Sequence, residues 1–578
     1  MRIMKMNINI LFLVCALLTG VSSYAQKKKP AKKSKAARTV KKPVSKPTNR
    51  SSKTVSLNDT IPDKTVVITS AFKPSLRNAA KINFNAASPN MDTVRMPLQY
   101  TVPSQQLFFS YNPVPVKPLA LDIDSTLAFD NNAFVKVGYG NFQTPYLEGA
   151  MSIGDGKKSL IYLHALHTSS KGTQPFQEFS RTSATLKGVF NDRLNHEWTT
   201  VLRYQHNGQF LYGFQPSSLN FTKDSLRQNF QTIGAEVDMR RKTPNSFGFT
   251  YHPKIKYSYF GLDAGIGESN LKVDAPFQKR LGRFFDLNLG FTADLTYLNP
   301  GQARSRVENT LFYVSPSVHF KTPNLMLEVG MMPSWDNANF TMLPNIKGQA
   351  KLKGERLVLQ AGIAGSFQKN SFQSLAQMNP FIQVPQALLN TRIVEQYIGI
   401  KGAAGQYLTY NARLSHQRMR NMPVFINTGI GNRFFATPFE SSADAIRLHA
   451  EVGYTLHEKL AVHAAASYLN FINLSNSREA FGILPFELTS GLKWKLFKDL
   501  HLNADMFFWD GSFYRNVNND AFKLKPALDA SIGVEFAVMP KLNVWMKMNN
   551  ILNNRYQRWH QYEVLGFNVL GGVVYSFR

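Results

Sequence analysis

From residue 131 onward, apolar and polar side chains alternate with a period of two. Phe285, Leu287, Leu289, Phe291, Ala293, Leu295 and Tyr297 are interleaved with Asp286, Asn288, Gly290, Thr292, Asp294 and Thr296. Leu500, Leu502, Ala504, Met506 and Phe508 alternate with His501, Asn503, Asp505 and Phe507, and Leu542, Val544, Met546 and Met548 with Asn543, Trp545 and Lys547. Successive side chains of a strand point to opposite faces, so each run predicts a strand with one apolar face and one mixed polar face. A soluble sandwich and a membrane barrel share this pattern, and strand length and turn spacing separate them.

Tight turn signals punctuate the region at Gly154-Asp155-Gly156, Asn191-Asp192-Arg193, Thr243-Pro244-Asn245, Gln278-Lys279-Arg280 and Thr322-Pro323-Asn324. They continue at Lys353-Gly354-Glu355, Ala403-Ala404-Gly405, His457-Glu458-Lys459, Lys498-Asp499 and Met539-Pro540-Lys541. Several hold the Gly, Pro, Asn and Asp that supply turn geometry. Each interval between turns accommodates two strands of ~10 residues, the length that crosses a bilayer at barrel tilt, plus one longer loop. The longer loops fall where alternation lapses: 168–181, 207–227, 370–390, 420–444, 470–485 and 509–523. Short turns at one end and long loops at the other are the asymmetry of outer-membrane barrels. Two strands around each turn, with a first and a last strand, predict an all-β fold: a transmembrane antiparallel β-barrel of about 22 strands over residues 131–578.

The first 25 residues change the compartment. Arg2 and Lys5 precede an apolar core from Ile10 to Leu18, and Ser23-Tyr24-Ala25 is a small-x-small cleavage site. That core is shorter than the ~18 apolar residues of a membrane helix, so residues 1–25 read as a signal peptide. Cys15 is the single cysteine and lies within it, so the mature chain is expected to hold neither disulfides nor cysteine metal sites. The formal charge of +30 is uneven, because residues 26–57 hold twelve Lys or Arg and no acid. Such a Lys/Pro/Ala/Ser run cannot bury enough apolar surface to fold, and a disordered basic N-terminal tail is expected. Export argues against nucleic acid. Peptidoglycan and lipid head groups are candidate partners for the tail, and a solvated spacer is the plainer reading.

The last two strands then become familiar. They read Leu542-Asn-Val-Trp-Met-Lys-Met-Asn-Asn550-Ile-Leu-Asn-Asn-Arg-Tyr556 and Gly566-Phe567-Asn568-Val-Leu-Gly-Gly-Val-Val-Tyr575-Ser-Phe577-Arg578. This resembles the C-terminus of TonB-dependent receptors, with Tyr575 and Phe577 at the place of the barrel insertion signal read by the assembly machinery. Arg578 after the terminal aromatic departs from the pattern. Upstream, Asp63-Lys64-Thr65-Val66-Val67-Ile68-Thr69-Ser70-Ala71-Phe72 is similar to the TonB-box or first plug strand of such receptors, and equally to any exposed strand. The resemblance implies a Gram-negative outer-membrane barrel that moves a solute, with TonB or a surface lipoprotein as partner. A folded plug should follow, yet residues 73–126 are proline-rich. Segment 58–130 therefore reads as a plug remnant or a strap in the lumen, and a plugless scaffold of an outer-membrane complex is the alternative.

No catalytic signature is present: neither H-E-x-x-H nor G-x-S-x-G nor a phosphate-binding glycine loop occurs, and no cofactor is implied. His164 and His167 fall on opposite faces of a strand. The polar face predicts a lumen lined by Asp286, Asp294, Lys493, Lys495, Asp505 and Lys547, either tuning solute passage or bracing the wall through ion pairs. The loops are rich in aromatics: Phe210, Tyr212 and Phe214; Phe434, Phe435 and Phe439; Trp509, Phe513 and Tyr514; Tyr556, Trp559 and Tyr562. An interfacial girdle and a recognition surface are both open readings of them.

Overall fold

The structure, a computed structural model, describes residues 132–577 apart from 156–157, 215–218, 264, 302–304, 429–430, 432, 458 and 517–519. The expected signal peptide, the basic tail, segment 58–130 and Arg578 lie outside the described residues.

Among the described residues one antiparallel sheet contains all the long strands, paired in chain order. Phe249–Tyr251 and Lys254–Leu262 both pair with Ile266–Leu281 and form one strand broken before Pro253, which cannot donate to a ladder. Counted so, the wall has 22 strands. The first, Ala133–Gly140, pairs with the last, Asn568–Phe577, from Ala133↔Phe577 to Gly140↔Leu570, and the sheet closes on itself. The closing ladder is unusually tight. A Cβ on Gly572 would lie 1.9 Å from the Val137 carbonyl oxygen, and one on Gly138 would lie 2.4 Å from the Trp545 ring, so both positions need glycine.

The two faces follow the alternation. On Phe285–Asn299 the odd side chains, Leu287, Leu289 and Phe291 among them, are exposed on the exterior, while Asp286, Asp294 and Thr296 are buried on the lumen side. The same division repeats around the wall, where Leu147, Leu163, Ile233, Val329, Ile398, Leu448 and Val544 are exposed. An apolar exterior on a closed sheet is what a bilayer requires, because closure leaves no edge of unsatisfied amides in lipid. Among the described residues no helix is long and apolar enough to cross a membrane.

The turn end matches the sequence expectation with two shifts. Strand Ile266–Leu281 runs through Gln278-Lys279-Arg280, and the chain turns instead at Gly282, with φ of 65°. Those three polar residues remain strand because the wall itself uses them: the Lys279 ammonium lies over the Phe249 ring and Arg280 reaches Asp286. Strand Thr391–Ala404 likewise continues to Ala404 before turning at Gly405. At the other end several loops are shorter than expected, since strands persist to Ser170, Phe210 and Leu474.

A capped lumen as candidate functional site

The lumen wall is a set of local polar networks. Asp286, near the turn end, accepts from Lys321 at 2.7 Å and from Arg280 at 3.4 Å. Asp294, near the loop end, accepts from Asn270 at 2.7 Å and faces the Lys369 ammonium at 3.6 Å. Asp505 and Lys547 come together in one inward pocket with Lys136, Asn503, Glu535 and Trp545. There the Lys136 ammonium sits 4.4 Å from the Trp545 ring centre, and Glu148 accepts from Tyr146 at 2.7 Å and meets His164 at 3.0 Å. Lys493 and Lys495 share that inward face closer to the turns, opposite Asn503 and His501. The sequence-derived residues are therefore spread over three regions of the wall. Lys136, Glu148 and Glu535 were not singled out from sequence, although Lys136 between Val135 and Val137 bears the same alternation signal.

Tyr575 and Phe577 are exposed on the exterior at the turn end, their rings 4.8 Å apart. Thr65, Val66, Val67, Ile68 and Thr69 lie outside the described residues. His164 and His167 do point to opposite faces, His164 toward Glu148 and His167 toward Thr182. Among the described residues no group of three or more His, Cys, Asp or Glu is placed to hold a metal.

Many of the loop aromatics pack against one another. Tyr212, Phe214, Phe381, Phe425, Phe435, Trp559 and Tyr562 form one buried core together with Phe372 and Leu375. Tyr562 stacks on Phe381 at 3.5 Å and meets Tyr212 edge-on at 4.9 Å; Trp559 meets Phe425 at 5.1 Å and Phe435 at 5.4 Å. Both tyrosine tips are satisfied within the cap, the Tyr212 hydroxyl donating to the Glu563 carbonyl at 2.9 Å and the Tyr562 hydroxyl to that of Arg433. These loops leave strands far apart around the wall. They meet by folding in over the mouth, where they share one apolar cap.

The loop at 369–390 is the best anchored. Its helix Phe372–Met378 begins with a Ser371–Ser374 capping box, and its first amides, Phe372 and Gln373, donate to the carboxylate of Glu268 on the wall. Lys369 donates to the Asp294 and Asn309 carbonyls at 3.0 and 2.6 Å. Burial sets the electrostatics of the cap: it pushes the Tyr562 and Tyr212 hydroxyls up, pulls Arg558 down to about 10 and pulls His560 down to about 4. His560 stacks on Tyr514 with centroids 3.8 Å apart.

No protein-family model and no curated protein matches the chain. Solved structures do. The FrpB iron transporter from Neisseria meningitidis (F3-3 variant) superposes with a TM-score of 0.62 at 11% identity, over 78% of this chain and 82% of that one. The siderophore receptor PirA from Pseudomonas aeruginosa gives 0.54 at 12% identity, over 78% and 80%. The siderophore receptor PiuA from Acinetobacter baumannii gives 0.57 at 11% identity, over 78% and 82%. The likeness is one of fold.

Proposed function

We propose that the chain is an outer-membrane transport barrel of the TonB-dependent-receptor type, taking up a small chelate such as a ferric siderophore. The observation that carries this is a 22-strand barrel superposing on iron and siderophore receptors, combined with a lumen lined by both signs of charge. The closing motif around Tyr575 and Phe577 supports recognition by the barrel assembly machinery. The segment Thr65 to Thr69 is the candidate contact for TonB, and Asp505 and Lys547 with Lys136 and Glu535 are the candidate polar lining for a charged solute. Loop-end-outward orientation follows the short-turn rule of such barrels.

The test is uptake of radiolabelled ferric chelates by cells with the intact gene, without it, and with residues 65–69 deleted. Uptake should be present in the first and lost in the other two. Equal uptake by all three across catecholate and hydroxamate chelates would refute transport. A second reading, a scaffold barrel within an outer-membrane complex, is favoured by the aromatic cap over the mouth. It would gain if gentle purification yields a stoichiometric partner while uptake is unaffected by loss of the gene.

A further inference from the structure

The wall has a lap joint. Strand Asn339–Lys351 pairs with Leu325–Asp336 along its whole length, from Asp336↔Asn339 to Leu325↔Ala350. Its ladder to the other neighbour, Val358–Gln368, stops at Asn345↔Ala364, next to Pro344, which has no amide hydrogen to continue it. Beyond that point Val358–Gln368 stays paired with Thr391–Ala404 up to Gln368↔Thr391. The upper ends of these two strands therefore part together from Asn339–Lys351, while Thr391–Ala404 keeps its ladder to Leu408–Arg420 up to Arg392↔Arg420.

The parted ends slide behind Asn339–Lys351. By register, Phe367 and Val394 belong to the face that bears Leu359 and Ile398, both exposed on the exterior. Yet Phe367 and Val394 pack against Leu311, Tyr313, Met332 and Leu343, which lie on the lumen side of their own strands. A Cβ on Gly365 would come within 2.4 Å of Leu343, and Arg392 donates to the Thr341 hydroxyl at 3.0 Å across the joint. Outside the joint, Trp335, Phe340 and Met342 are exposed on the exterior.

We propose that this joint is a lateral port through which an acyl chain of an outer-leaflet lipid enters the barrel. Separating strands joined by a ladder strands amides and carbonyls in lipid, at several kcal/mol apiece. Here the two layers meet through side chains over the half of the wall nearest the loops. Parting them breaks one side-chain hydrogen bond, Arg392 to Thr341, and otherwise separates the apolar side chains of Leu343, Phe367 and Val394 in a medium that is itself apolar. The packed layer of Leu311, Tyr313, Met332, Leu343, Phe367 and Val394 is apolar in the main, suited to a hydrocarbon chain and not to a hydrated solute. The port depends on the loop-end-outward orientation but not on chelate transport.

The test uses the full chain in a phospholipid bilayer doped with a phospholipid that carries a diazirine on its acyl chain. After irradiation, adducts should map to Leu343, Phe367 and Val394 as well as to lipid-facing Val329 and Met342. Adducts confined to lipid-facing residues would overturn the port. As an independent arm, Val394→Cys should react with a lipid-borne maleimide roughly tenfold or more faster than Ala150→Cys, a buried lumen-side position beneath intact ladders. Equal rates, with Val329→Cys reacting normally, would also overturn it. Neither readout involves uptake, so a failure of transport would leave the result standing.

Discussion

Asn288 and Leu289 are neighbours in sequence that face opposite media. Leu289 is 38% exposed on the lipid side, whereas Asn288 is directed into the lumen. Leu289→Arg should destabilise the barrel by ~2–4 kcal/mol, while Asn288→Ser should be mild, as read by urea unfolding in lipid vesicles. Equal tolerance would mean the faces are assigned wrongly. His560 tests the cap at the same scale. Its folded pKa of about 4 lies below the ordinary 6.5, so the exposed loop takes up a proton that the packed loop resists. The packed state is fully favoured above about 6.5 and loses ground as pH falls toward 4. Hydrogen exchange in residues 550–567 should quicken over that window, and His560→Phe should remove the dependence. The inward placement of Asp286, Asp294, Asp505 and Lys547 was legible in sequence because a period of two fixes a side. Their companions were not: Lys136 reaches Trp545 only because the first strand closes against the last, which no local pattern encodes.

Strands were the legible elements and loops the illegible ones. Long alternation announces a strand whatever it packs on, so the strand count and most turns could be read directly. Gln278-Lys279-Arg280 misled because a water-facing strand end has the composition of a turn. The loop aromatics were open for a different reason: apolar side chains in a loop do not say whether lipid, ligand or other loops will cover them. Glu268 is the wall residue that decides this for the loop at 369–390. Glu268→Ala leaves the Phe372 and Gln373 amides without their buried acceptor, at about 1–3 kcal/mol each. Protease cleavage within residues 369–390 should then become easy on reconstituted protein while the strands stay resistant. Unchanged cleavage would show that the aromatic core alone holds the loop.

At the scale of the molecule the question is how many closures the barrel has. We propose two: segment 73–126 as a strap in the lumen, and the aromatic cap at the mouth. Deleting 73–126 alone should therefore leave single-channel conductance low in a planar bilayer. Adding Phe381→Ser and Tyr562→Ser, which break the stacked pair at the centre of the cap, should raise it sharply. A large conductance from the deletion alone would mean that the cap does not seal.

The glycine-lined ladder between Ala133–Gly140 and Asn568–Phe577 also has a meaning in time. The strands that meet there are the earliest and the latest of the wall to be synthesised. Every intermediate before that meeting has two raw edges, each able to pair with a stranger. The final handful of residues thus ends a period of vulnerability that began hundreds of residues earlier, and no local rearrangement can shorten the wait. Whatever escorts the newborn chain must hold its first strand in reserve until its last has arrived.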